Sequence, residues 1–495
     1  MDDTEKNDIN QQSSPSEPKN IKTEEVSAEI ERPEEISGSI PPDFPTDVPI
    51  YQESNNKGMF IGGAILFFIV VFGLIYWFFL RNIINPPTST PAPTSNENVT
   101  LTYWGLWDEA EIFQPVIESY QKEHPNITVK YEKMSPDQYR ERLIARSQTG
   151  NGPDIFRFHN TWLPELQEVI SPLPVDVMTV EEFNTTFYPI HQKDLKIQDQ
   201  YYGIPLMIDG MVLVYNEDIL KRAGLINPPT TWVSEGNDVF SAIKQFTVKD
   251  TNGTIITAGM AIGTATNVEH FGEIFGILLL LNGGDFKDLT TPEAAEALEL
   301  YRKFSEDGYW DETMPMSTTA FIQGKVAMIM APSWQIIDIK SQAPELNIKV
   351  APIPQGLDGA AVSIASYWVE GVNKQSPHQA EAWEFLKYLS EKEQLLKMHE
   401  TQSKVRLFGI AYPRQDMGDL LNDHPYLKPV ISQAKDDVYV SLPLTSRTYD
   451  GGLNDEIVKY IEDAITSSSK GTDYSSALTT AGQGINVVLE RFKIE

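Results

Sequence analysis

Carboxylates and aromatic rings recur side by side along this 495-residue chain. Trp107, Asp108 and Glu109 stand together. Asn160 and Trp162 are two apart. Asp209 follows a short apolar run, and Trp334 follows Pro332 and Ser333. Tyr367, Trp368 and Glu370 form the last group. Two chemistries use such a set. A pair of carboxylates about 5–9.5 Å apart can hydrolyse a glycosidic bond. Aromatic faces with carboxylate and amide handles can instead bind a sugar unchanged, because a pyranose has apolar C–H faces and a rim of hydroxyls. Adjacent carboxylates such as Asp108 and Glu109 point apart on extended chain, which disfavours their acting as a catalytic pair.

For these residues to meet, secondary structure must deliver them to one place. A strand-like run precedes each group: "LTYW" before Trp107, "PDIFRF" before Asn160, "YYGIPLM" before Asp209, "VAMIM" before Trp334 and "VSIAS" before Tyr367. Between the first runs lie helical stretches. "AEIFQPVIESYQKEHP" has helical spacing and stops at a proline. "SPDQYRERLIARSQTGNG" opens with Ser135 as the expected cap and Pro136 as the expected first helical residue. "HQAEAWEFLKYLSEKEQLLKMH" reads as one further helix. This β-α-β-α-β alternation predicts an α/β fold with helices on the faces of a sheet. Ligands of such sheets gather at the carboxyl ends of the strands, where the aromatic and acidic groups fall.

The formal net charge of −31 argues against nucleic acid, whose phosphates need clustered Lys and Arg. It suits a self-repelling, soluble surface. The absence of cysteine excludes disulfides, zinc–thiolate sites, cysteine nucleophiles and a lipidated cysteine anchor. No P-loop, HExxH or EF-hand pattern occurs, and the seven histidines are scattered. No catalytic residue, metal or cofactor is expected. Sequons at Asn98, Asn126, Asn184 and Asn252 matter only in a glycosylating host.

Residues 1–57 are acidic, proline-rich and poor in aromatics, the composition of a disordered tail. The uncharged run 58–80, "GMFIGGAILFFIVVFGLIYWFFL", is long enough as a helix to cross a hydrocarbon core of roughly 30 Å. It is expected to stay as an anchor, since its leading segment is too long for a cleavable signal and no small-x-small site follows closely. Residues 81–99 form a Pro/Ser/Thr-rich linker.

From about Thr100 to Glu495 the chain resembles the extracellular solute-binding proteins of ATP-binding-cassette (ABC) importers, of the maltose-binding type. The resemblance is carried, in order, by "LTYWGLWDEAEIFQPVIESYQKEHPNITVKYE", "GNGPDIFRFHN", "YYGIPLMIDGMVLVYNEDILKRAGLINPPTTW", "FIQGKVAMIMAPSW" and "AEAWEFLKYLSEKEQ". It implies a two-lobed α/β clamp of the periplasmic-binding type, with discontinuous lobes near 100–207 plus 366–412 and 208–365 plus 413–495. It also implies a carbohydrate ligand, ABC permease subunits as partners and no catalysis. Matched position by position, polar sugar contacts fall on Asp108 and Glu109, on the loop holding Asn160, Thr161 and Trp162, and on Asp209. A stacking platform falls on Trp334. Where many relatives read Gly-Gly-Trp, this chain reads Ser366-Tyr367-Trp368, so Tyr367 is expected to narrow the cleft. Glu370 is either a handle or a solvated charge. The retained span is itself a departure, since relatives are often free or lipidated. It would leave the tail cytoplasmic and the domain outside. A membrane-anchored sugar sensor and a glycoside-active enzyme are the alternatives.

Overall fold

The computed structural model describes residues 98–232, 238–356, 359–444, 448 and 451–494. These fall in the compact unit Thr94–Glu495. The expected tail, the span 58–80 and nearly all of the linker lie outside the described residues. Among those described, no helix is long and apolar enough to cross a membrane. Val99, placed in the linker from sequence, already belongs to the first strand, where it pairs with Ile127.

Two mixed five-stranded sheets organise the unit. In the first, Ile127–Lys133, Val99–Gly105, Ile155–His159, Trp368–Val372 and Ile204–Pro205 lie side by side in that order. The first three run parallel, and Trp368–Val372 runs antiparallel to both of its neighbours. In the second, the order is Ile348–Ala351, Met211–Asn216, Val326–Pro332, Ile255–Met260 and Val248–Lys249. Met211–Asn216 is buried at every residue, as a central strand covered on both faces must be. Helices pack against the sheets, most through one apolar stripe, whereas Phe271–Leu281 is buried continuously from Gly272 to Leu279. Ala110–Glu123 buries Ile112, Phe113, Val116, Ile117 and Tyr120, the i, i+1, i+4, i+5, i+8 set of one helical face.

The chain passes between the sheets in closely spaced segments. Ile208 forms an antiparallel bridge with Ala411, and Gly210 forms one with Ala365. The Ile208 N–H donates to the Ala411 carbonyl at 3.1 Å, and the Ser366 N–H to the Asp209 carbonyl at 3.0 Å. Gly210 is required here. A Cβ on it would stand 2.4 Å from the Tyr439 ring and 2.7 Å from the Ile364 carbonyl oxygen.

Two helical expectations need correction. The second helix begins at Tyr139, four residues after Ser135. Gln138 adopts a left-handed conformation (φ 54°) and donates its N–H to the Thr448 carbonyl at 3.1 Å, so a distant contact delays the helix start. The expected helix near 378–399 is two, Gln379–Leu389 and Lys392–Val405. They break where the Ser390 hydroxyl donates back to the Lys387 carbonyl at 2.7 Å.

Candidate functional site

A cleft of about 510 Å³ opens where the crossover segments meet the strand ends. Three indoles line it: Trp107 after the first strand, Trp334 after Val326–Pro332, and Trp368 at the start of Trp368–Val372. Trp107 and Trp334 are exposed, at 46% and 39%, although Trp is highly buried on average. Trp107 is held at φ 69°, a conformation that costs a bulky residue about 1–3 kcal/mol and that clusters at binding sites. Its ring lies 5.7 Å from that of Trp368.

Asp209 explains how Trp334 is presented. The carboxylate is buried, and it accepts N–H bonds from Ser333 at 3.0 Å, Trp334 at 3.2 Å and Gly210 at 2.8 Å. It therefore fastens the first crossover to the turn that delivers the indole. Burial pushes its carboxyl up to about 6, although those N–H groups pull the other way.

Behind the indoles lies a buried chain of charges. Arg157, in mid-strand, stands directly opposite Glu370 in register. Its Nε donates to Glu370 Oε1 at 2.7 Å, and its Nη1 donates to Asp108 Oδ2 at 2.8 Å and to the Leu106 carbonyl at 2.9 Å. Asp108 Oδ1 then accepts from Arg406 Nη1 at 3.3 Å and Gln402 Nε2 at 3.1 Å. Burial lifts the Glu370 carboxyl above the ordinary range, and Arg157 opposes that rise.

Of the residues singled out from sequence, Trp107, Asp108, Asp209, Trp334 and Trp368 line the cleft. The others do not. Glu109 is exposed and pairs with Lys133 at 2.5 Å. Asn160 is buried, with its amide on Asp194 at 3.0 Å and Ser441 at 2.7 Å. Trp162 is buried edge-on behind Trp368, with ring centres 5.4 Å apart. Tyr367 does not narrow the cleft. Extended chain sends successive side chains to opposite faces, so Trp368 takes the cleft and Tyr367 turns inward, its hydroxyl donating to Asp194 at 2.6 Å. Glu370 is no solvated charge, being fully buried against Arg157. Sequence reading passed over Arg157, Arg406, Phe408, Met207 and Ile337, all cleft-lining. Arg157 did carry a signal: an arginine inside the strand "IFRFH" must find buried carboxylates.

Asp194 carries a testable pH effect. Its Oδ2 accepts from Asn160, Tyr367 and Ser441, and burial pushes the carboxyl from an ordinary 3.8 up to about 6. A carboxyl raised by folding stabilises the fold below its unfolded value, and that contribution is lost as pH rises through about 6. Asp194→Asn keeps an acceptor for the three donors and removes the titration. We expect the variant to gain about 1–2 kcal/mol over wild type between pH 5 and pH 7.5 in urea unfolding, partial exposure limiting the effect. Parallel pH profiles for the two proteins would refute this.

The family model for bacterial extracellular solute-binding proteins matches residues 116–405, more than half of the chain. The maltodextrin-binding protein MdxE of Bacillus subtilis is 24% identical over 351 residues, 67% of this chain and 77% of its own. The maltotriose-binding protein of Pyrococcus abyssi is 22% identical over 306 residues, 59% of this chain and 62% of its own. In fold, the chain is similar to the sugar-binding protein MalE of Xanthomonas citri, with a TM-score of 0.64 at 20% identity, covering 80% of this chain and 98% of that one. It is likewise similar to a cyclo/maltodextrin-binding protein complexed with maltotetraose, with a TM-score of 0.63 at 18% identity, covering 79% and 97%. These relations, together with two α/β sheets that meet at an aromatic cleft, place the chain among the bacterial extracellular solute-binding proteins.

Proposed function

We propose that this protein is a membrane-tethered solute-binding protein that captures a carbohydrate for an ABC importer. The observation that carries the reading is the ring of three indoles, Trp107, Trp334 and Trp368, around one cleft at the crossover segments. Such rings match the apolar faces of pyranoses. The sugar-binding names of several relatives support the ligand class. The lobes run near 100–207 with 366–412, and 208–365 with 413–495, and they close on the ligand as a clamp. Asp108 and Asp209 already accept bonds from N–H donors, which favours capture over hydrolysis. The apolar run 58–80 holds the domain outside the cell and leaves residues 1–57 in the cytoplasm. Permease subunits receive the sugar.

The test has two arms. Protease added to intact cells should digest the domain and spare the tail, and a protected domain rejects the tethered reading. Binding is followed by calorimetry against a carbohydrate panel. Trp334→Ala should weaken binding by about 1–3 kcal/mol and leave the melting temperature nearly unchanged, because the indole is 39% exposed. A large loss of stability with unchanged affinity would assign Trp334 to packing instead.

A further inference from the structure

We propose that His270 and Glu273 share one proton and, through Gln335, position Trp334 for the ligand, so that losing the proton slackens the indole platform of the cleft. The pair lies outside the cleft and acts on it from behind the turn. Its effect on affinity rests on the carbohydrate reading above; its effect on the indole does not.

Two buried anchors hold the turn that carries Trp334. Asp209 grips it from the crossover, through the N–H groups of Ser333 and Trp334. The second anchor takes hold one residue later. Gln335 is buried at the start of the helix Gln335–Gln342, and it reaches the residues just before Phe271–Leu281 and the first turn of Ser317–Ile322. Its Nε2 donates to Glu269 Oε2 at 2.9 Å and to the Thr318 hydroxyl at 2.5 Å. The Thr318 hydroxyl directs its own proton to Glu269. An amide nitrogen has two N–H groups, so both are used, and the amide oxygen is left to accept. That oxygen lies 2.8 Å from His270 Nε2, which must therefore carry a hydrogen.

The direction of that bond fixes what the other ring nitrogen needs. His270 Nδ1 lies 3.0 Å from Glu273 Oε1, in a pair only 5% and 2% exposed. A neutral imidazole has one N–H, and Gln335 already receives it. Without a second proton, two lone pairs would face each other across a buried contact, which is unfavourable. The pair therefore holds that proton, as imidazolium with carboxylate or as imidazole with carboxylic acid.

Removing the proton breaks a link. Either Nδ1 and Oε1 face each other unbridged, or the ring moves its hydrogen to Nδ1 and releases the Gln335 oxygen. Both outcomes loosen the second anchor, next to the indole, as pH rises. The neighbouring ionisable groups do not mimic this. Asp209 is pushed up to about 6 by burial, so its titration acts on the acid side. Glu269 and Asp338 flank the same turn as carboxylates. From Pro292–Glu306, Tyr301 lies near Glu273, and burial holds its hydroxyl well above the ordinary value. Arg302 beside it is a guanidinium, which does not titrate.

The test uses the purified full chain labelled with 5-fluorotryptophan. The Trp334 resonance is the one lost in Trp334→Phe, and the other tryptophans, of nine in the chain, report the fold. Between about pH 6.5 and about pH 9 the Trp334 resonance should move in wild type. Glu273→Gln places an amide N–H opposite Nδ1, so a neutral ring satisfies both links, and the resonance should keep its acid position throughout. Gln335→Met cuts the link and leaves the pair, so the resonance should be displaced and insensitive to pH. A wild-type resonance that stays fixed, or one that moves equally in Glu273→Gln or in Gln335→Met, overturns the proposal. Calorimetry with maltotetraose reads the affinity. Wild type should bind at least about threefold more weakly at the alkaline end than at the acid end, and Glu273→Gln should not weaken. Equal weakening in both, or none in wild type, also overturns it. If maltotetraose binds at neither pH while the resonance moves as expected, the carbohydrate reading is what fails and the positioning role stands.

Discussion

Replacing Arg140 by methionine should cost about 3–5 kcal/mol of folding stability, the range expected when a buried ionic cluster loses one partner. Arg140 is 1% exposed. Its Nη1 donates to Glu165 Oε1 at 2.7 Å, and its Nη2 to Asp455 Oδ2 at 2.9 Å. The guanidinium lies over the Trp162 ring, 5.0 Å from its centre. Glu165 belongs to the short helix after Ile155–His159 of the first sheet. Asp455 lies in the first turn of Leu453–Ser469, which packs against the helices Tyr474–Arg491 and Pro292–Glu306. The Leu453 N–H donates to Glu165 at 3.1 Å, and the Asn454 amide donates to the Thr161 hydroxyl at 2.9 Å. The cluster therefore ties the start of a C-terminal helix to the loop behind the cleft. Gly452 permits the approach, since a Cβ there would stand 2.2 Å from Arg140 Nη2. Arg140→Met removes the guanidinium that both carboxylates face. Adding Glu165→Gln and Asp455→Asn removes those charges and should recover most of the loss. Urea unfolding of the single and triple variants decides it. An unchanged midpoint in the single variant, or no recovery in the triple, would refute the argument.

Glu370→Leu should cost a comparable 3–5 kcal/mol or so, for a related reason. Arg157 is buried at 4% and divides its donors among Glu370, Asp108 and the Leu106 carbonyl. Without Glu370, two guanidinium groups share the single carboxylate of Asp108. Glu370→Gln should be milder, about 1–3 kcal/mol, because an acceptor remains opposite Arg157. The loss should also appear in ligand affinity, since Asp108, Arg157 and Arg406 all line the cleft. Should Glu370→Leu unfold at the wild-type urea concentration, the charge chain has no structural role.

Much of the architecture was legible along the chain. The first strands and the helix between them emerged from two periodicities, alternation of two and helical spacing of 3.6, which need no knowledge of distant contacts. Asp209 and Trp334 were legible as a set because each ends a strand-like run. The helix start at Tyr139 was not legible, since a bond to Thr448 from far along the chain overrides the local Ser-Pro signal.

Residue type and spacing by themselves determined that aromatic and acidic groups would collect at strand ends, and that the chain would read as α/β. Tertiary structure alone decided which of them face the cleft. Side-chain alternation divides Tyr367 from Trp368, a register pairs Glu370 with Arg157, and three backbone N–H groups claim Asp209. Each of these outcomes depends on segments distant in sequence becoming neighbours. A carboxylate's role follows from which donors reach it first, and a one-dimensional pattern does not contain that distance.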